Sequence, residues 1–246
     1  MSGLGSRQRA ALVLLAALLG ASLTARLGAW QLSRAAEKEQ AQAALDSRGA
    51  APPLAQADLA DQAQLAAAQH FRRIALRGRW VDGRTVFLDN RPMAGRPGFY
   101  VVTPLLIGES GDAVLVQRGW VPRDANDRTR VPAVPAAEGV VEVEGRIAPP
   151  PSRLYELGAE GQGPIRQNLD LDSFAQETGL RLRPLSLLQA DSAGTTGDGL
   201  LRQWPAPAVD VHKHYGYAFQ WFALAALITG LYVWFQLVRP RLRRQA

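Results

Sequence analysis

The residues with most chemistry to offer stand together near one end of the chain. In "VDVHKHYGYAFQWFALAALITGLYVWFQLVRPR", two of the three histidines, His212 and His214, sit at the mouth of a long apolar run. A neutral imidazole is a ligand for haem iron, zinc or copper. If a helix begins by His214, Tyr217, Ala218 and Trp221 follow at offsets of three, four and seven and lie on one face with it. His212, two residues earlier, then points elsewhere. Only an extended segment would bring both histidines to one side, as a copper or other transition-metal pair requires. The blander reading is an interfacial histidine with no ligand, a polar collar on a membrane helix. His70, the third histidine, falls at a boundary between helix-like and strand-like sequence.

Other chemistries find few residues. The chain has no cysteine, which excludes a disulfide framework, a thiolate metal site and a cysteine nucleophile. "GESGD" (108–112) differs from the Gly-x-Ser-x-Gly nucleophile loop and has no histidine near it in sequence. No phosphate-cradling Gly-x-x-x-x-Gly-Lys-Ser/Thr loop and no paired-histidine metal helix occurs. A hydrolase, or any enzyme, therefore has little to stand on. Arg91, Arg118 and Arg123 follow or sit within strand-turn units and are expected as surface or sheet-edge charges. Docking of a partner or a propionate is the sharper alternative for them.

The elements that must carry these residues begin with two apolar segments. Tyr215 to Val238 is uncharged, with aromatics toward both ends, and about 20 such residues cross a hydrocarbon core. The run from Ala10 to Ala25 is shorter, and extending it to Trp30 takes in Arg26, whose head can snorkel to the interface. It reads as a retained anchor, with a cleaved signal peptide as the rival. The net charge of +6 equals the six arginines at 7, 9, 239, 241, 243 and 244, which flank these two runs. A nucleic-acid binder would carry its excess along a folded face. Flanking arginines instead set topology, and the four after Val238 put the C-terminus in the cytoplasm. Two crossings then put both termini there.

The expected organisation is a cytoplasmic tail (1–9), a first transmembrane helix (10–30), a helical stalk (31–70), a periplasmic domain (71–210), a second transmembrane helix (214–238) and a basic cytoplasmic tail (239–246). Within the domain, "RRIALRGRWV", "TVFLDNR", "GFYVVTPLLI", "AVLVQRGWVP" and "VVEVEGRIAP" are apolar or alternating runs separated by turn residues. They predict an antiparallel, barrel-like sheet. "DLDSFAQETGL" predicts one short helix, capped by Asp170 or Asp172 and stopped by Gly179. "RPLSLLQAD" is a sixth strand, and "SAGTTGDGLLRQWPAPA" a flexible loop returning to the membrane. The fold class is α+β, with two transmembrane helices flanking the sheet domain.

Four blocks then resemble the surfeit locus protein 1 family. "GAWQLSRAAEK" is similar to its Gly-x-Trp-Gln followed by Arg and Lys. "LDNRPMAGRPGFYVVTPLLI" is similar to its Asn-Arg turn and Gly-Tyr-x-Val-x-Thr-Pro strand. "VLVQRGWVPRD" is similar to its Leu-Val-Asn-Arg-Gly-Trp-Val-Pro block, and "HKHYGYAFQWFAL" to its Asn-x-His-x-x-Tyr-x-x-Thr-Trp start of the second span. Gln117, His212 and Gln220 stand where the family has Asn, Asn and Thr. The resemblance implies a protein of the cell inner membrane that helps assemble haem-copper cytochrome c oxidase. It implies a transient cofactor, haem a, and as partners the oxidase catalytic subunit, the haem a synthase and the lipid bilayer, with no nucleic acid. His214 would be the axial ligand of the haem iron. Tyr217 would bond a haem substituent, Trp221 would pack on the ring edge, and Lys213, Arg202 or Arg26 would meet the propionates. A cofactor-free scaffold that steadies oxidase intermediates is the alternative.

Overall fold

Apolar side chains alternate from Ile74 onward, and the chain answers with seven strands. The structure is a computed structural model that describes residues 5–108, 111–127, 129–134, 137–155, 163–192, 195 and 197–245. Glu109 and Ser110 of the "GESGD" turn, the first four residues and Ala246 of the expected tails, and part of the loop after Asp191 lie outside the described residues. The chain divides into two compact units, Met1–Ala43 with Ala206–Ala246, and Ala44–Pro205.

The larger unit is a closed barrel. Strands β1 (Arg73–Trp80), β2 (Val86–Leu88), β3 (Gly98–Ile107), β4 (Asp112–Pro122), β5 (Val141–Ala148), β6 (Ile165–Arg166) and β7 (Arg181–Gln189) form one sheet. Its order is β1-β5-β7-β4-β3-β2-β6, and β1 also pairs with β3, which closes five strands into a ring. Four of the ring's pairings are antiparallel, and β4–β7 is parallel. That parallel pair departs from a simple meander. It arises because β7 enters between β5 and β4 after a helical connection. Strand β3 is long enough for its second edge to serve both β1 (at Leu105–Ile107) and β2 (at Tyr100–Val102).

Side chains fill the ring. Ile74, Leu76, Leu105, Val114, Val116, Val143, Ile147, Leu185 and Leu187 pack as one buried cluster. Strand β4 is buried on both faces because helix α3 (Leu171–Thr178) covers part of its outer side. Phe174 and Leu169 meet Leu115, Val86, Leu88 and Val102 there. Helix α3 forms as its sequence predicts: the Asp170 carboxylate accepts from the Ser173 N–H at 3.0 Å, and Gly179 ends it.

The stalk expected over 31–70 divides differently. Helix α1 runs from Ser6 to Ala50, and the "APP" at 51–53 ends it. From Leu54 onward the chain joins the barrel. Leu54 N–H bonds Arg73 O at 2.8 Å, and the Gln56 side chain bonds both backbone groups of Arg77. Leu59, Ala60 and, on α2 (Ala63–Gln69), Ala66 are buried in the barrel's cluster. Alanine-rich polarity hid this, because three scattered apolar contacts leave no periodic stripe. His70 follows α2 directly. Burial pushes its imidazole pKa down and Arg48 adds to that, which suits a neutral structural residue.

The returning segment is also not a loose loop. Leu201 and Trp120 exchange both backbone hydrogen bonds, at 2.8 and 2.9 Å. Arg202 pairs with Asp191 and Asp198. Trp204 donates to Gln189 O at 2.8 Å and meets the Tyr100 ring edge-on at 5.2 Å. Glycine and threonine content suggested flexibility, while the pinning comes from long-range partners.

Two helices are long and apolar enough to cross a membrane, within Arg7–Ala50 and Val211–Arg243. The second comprises α4 (Val211–Tyr232), a π-helical stretch (Val233–Val238) and α5 (Arg239–Gln245).

Candidate functional site

In the smaller unit, α1 and α4 pack along a stripe that the sequence spaces for close approach. Gly20, Thr24, Gly28, Gln31 and Ala35 recur every three or four residues and so face one way. Thr24 and Ala35 are buried, and Thr24 satisfies its hydroxyl on Gly20 O at 2.9 Å. A Cβ on Gly28 would lie 2.9 Å from the Phe222 ring, so only glycine lets that ring sit against the α1 backbone. Small residues at such crossings allow close packing where lipid offers no hydrophobic drive. On α4 the matching residue is Ala218, 2% exposed.

Above this apolar contact the helices exchange polar ones. His214 Nδ1 lies 2.7 Å from Gln31 Oε1. The Tyr215 hydroxyl donates to Glu39 at 2.8 Å, and the Lys38 ammonium donates to Val209 O at 2.8 Å. Gln42 Oε1 accepts from the Ala208 N–H at 3.4 Å. The polar continuation of α1 therefore holds the start of α4, a role that helix propensity alone could not reveal. The signal available was its period: 31, 35, 38 and 42 continue the stripe below.

The predicted site residues all lie on α4, which starts at Val211, so both histidines are helical. They are about 200° apart around the axis, and His212 is exposed. They do not form a metal pair. His214 is half-buried, and its Nε2 makes no hydrogen bond among the described residues. Trp221, two turns on, is half-buried, while Tyr217 is 52% exposed. Among the described residues no three His, Cys, Asp or Glu side chains converge as a metal centre. The donor set that remains is one oriented imidazole with aromatic neighbours. A single imidazole is the donor type that an axial ligand to haem iron requires, and Tyr217 and Trp221 follow His214 on the same helix at offsets of three and seven. Of the cations expected near propionates, Arg202 is taken by two aspartates, Lys213 pairs with Asp210 at 2.9 Å, and Arg26 is exposed.

Two of the three strand-turn arginines require correction. Arg91 and Arg118 are 5% exposed, so both are buried. Arg91 donates to Ser152 Oγ at 3.0 Å, Ser152 O at 2.6 Å and Gln167 O at 3.2 Å, and its own carbonyl accepts from Trp120 Nε1 at 2.6 Å. The Arg118 guanidinium lies 4.8 Å over the Trp80 ring. Desolvation lowers the pKa of both, which still leaves an arginine charged. Arg123 is partly buried and pairs with Asp89 at 3.4 Å. Gln117 bonds Ser186 Oγ at 2.9 Å across the β4–β7 pair. These motif residues hold the barrel together instead of presenting a surface.

The SURF1 family profile matches residues 18–226. A SURF1-like protein of Rickettsia felis (strain ATCC VR-1525 / URRWXCal2) is 25% identical over 224 residues, covering 89% of this chain and 94% of that protein. Surfeit locus protein 1 of Rattus norvegicus is 28% identical over 226 residues, 85% of this chain and 70% of the rat protein. Cytochrome oxidase assembly protein SHY1 of Saccharomyces cerevisiae is 27% identical over 97 residues, 39% of this chain and 24% of its own length. The matched stretch takes in most of α1, the whole barrel and most of α4, and on that extent the chain belongs to the SURF1 family.

Proposed function

We propose that this chain is a membrane-anchored assembly factor for haem-copper cytochrome c oxidase, holding haem a in transit on His214 and yielding it to the catalytic subunit. The yeast relative's name supports the oxidase role. The observation that carries the haem reading is the half-buried His214 imidazole, held through Nδ1 by Gln31 at the head of a helix pair, with Tyr217 and Trp221 following on the same helix. Haem bound there would supply iron needing an axial nitrogen, and His214 would supply it. Tyr217 and Trp221 would bound the ring, and the adjoining apolar helix faces would shelter the hydrophobic tail of haem a. The haem a synthase, the catalytic subunit and the bilayer are the partners in this reading. The barrel lies in the periplasm and both termini in the cytoplasm of an inner-membrane protein.

The cofactor-free scaffold reading draws on a specific observation: Arg91, Arg118 and Trp120 of the family blocks are consumed by barrel packing. A cell line lacking the chain separates the two. It should lose most haem a-containing oxidase, and the wild-type gene should restore it while His214→Ala should not. Full restoration by His214→Ala would favour the scaffold, and normal oxidase without the chain would overturn both.

A further inference from the structure

We infer that Gln31 is a positioning residue that selects the tautomer of His214, leaving Nε2 as an outward lone pair for a ligand. This rests on the reading of His214 as an axial donor. An amide oxygen can only accept a hydrogen bond, so with Gln31 Oε1 turned to the ring, as here, the 2.7 Å contact is a hydrogen bond when Nδ1 carries the proton. A neutral ring with Nδ1–H carries its lone pair on Nε2, the form that binds iron. In water the neutral side chain favours the opposite tautomer, with Nε2 protonated and closed to a metal. In this orientation the Gln31 oxygen favours the less common form.

The contact is built into the helix pair. Gln31 and His214 are 183 residues apart in sequence and meet only because α1 and α4 pack closely. Gly28, one turn below Gln31, admits the Phe222 ring, and Ala218, one turn beyond His214, is buried. The charged and polar groups around the pair have other duties. Glu39 accepts from Tyr215, Lys38 donates to Val209 O, and Lys213 pairs with Asp210. Glu37, the remaining nearby carboxylate on α1, pairs with Arg34 at 2.5 Å. An amide is also a neutral orienter: it fixes the ring without adding a charge at a membrane edge. A partner on the distal nitrogen of a metal-bound histidine both fixes ring orientation and raises donor strength, and its loss costs about ten- to hundredfold in affinity.

The test uses the full chain in detergent, labelled with nitrogen-15 at its three histidines. Without haem, long-range nitrogen–proton correlations report which nitrogen of His214 is protonated, and His214→Ala assigns the signal. Wild type should show Nδ1–H, Gln31→Leu should shift toward Nε2–H, and Gln31→Glu should keep Nδ1–H. Haem a extracted from purified oxidase is then titrated in. Gln31→Leu should bind about ten- to hundredfold more weakly, Gln31→Glu close to wild type, with thermal melting of the barrel unchanged in both. An Nε2–H wild type, or a Gln31→Leu chain with unchanged tautomer and affinity, would overturn the inference. If His214→Ala abolishes haem binding and Gln31→Leu does not weaken it, only the positioning role fails. If His214→Ala binds haem a normally, the ligand reading fails and takes this role with it.

Discussion

Arg91 carries a charge into a place where its type is rarely found. It is tolerated because three acceptors take its guanidinium and the Tyr100 ring lies 5.9 Å beneath it. Removing it takes the donor from Ser152 O and Gln167 O and empties the space that the buried guanidinium fills. Arg91→Ala should lower unfolding stability by about 3 kcal/mol, measured by denaturant melts of the full chain. A loss under about 0.5 kcal/mol would mean that water replaces the side chain. The sequence-level reading of Arg91 and Arg118 as surface charges failed because their stacking partners, Tyr100 and Trp80, are brought over them by strand register. The register of His214 with Trp221 was legible, since both lie within one helix. The His214 partner Gln31 was not, because nothing local to either residue links them.

Most of the regular elements were written locally. The runs that predicted β1, β3, β4, β5 and β7 alternate or are rich in β-branched residues, and α3 carries its own cap and stop. Asp170 makes that cap measurable. The Ser173 backbone N–H, then the Ser173 hydroxyl, hold its carboxyl below the usual range. A depressed folded pKa gives stability that is present above the unfolded value of about 3.9 and lost as pH falls through the folded one. Asp170→Ala should therefore cost about 1 kcal/mol at pH 7, with the gap to wild type closing between pH 4 and more acidic conditions in thermal melts. A gap that persists in acid would assign the loss to packing instead of the cap. The parallel β4–β7 pair and the segment around Leu59 were not legible. Both depend on where the chain returns after long connections, and propensity is silent on that.

For the chain as a whole, the two apolar helices and the clustering of excess arginine at their outer flanks support the proposed topology, with both ends on one side. A cytoplasm-active reporter fused after Ala246 should be active, and one inserted in the 81–85 turn of the barrel should be silent; the reverse pattern would invert the orientation. The proposed handling of a membrane-soluble cofactor rests on family membership, the oriented imidazole and the two apolar helices. The decisive measurement is the absorption spectrum of the full chain purified from cells that also make haem a. Wild type should show a haem a band, and His214→Ala should remove it. No band in wild type, or an unchanged band in the variant, would contradict His214 as the haem ligand.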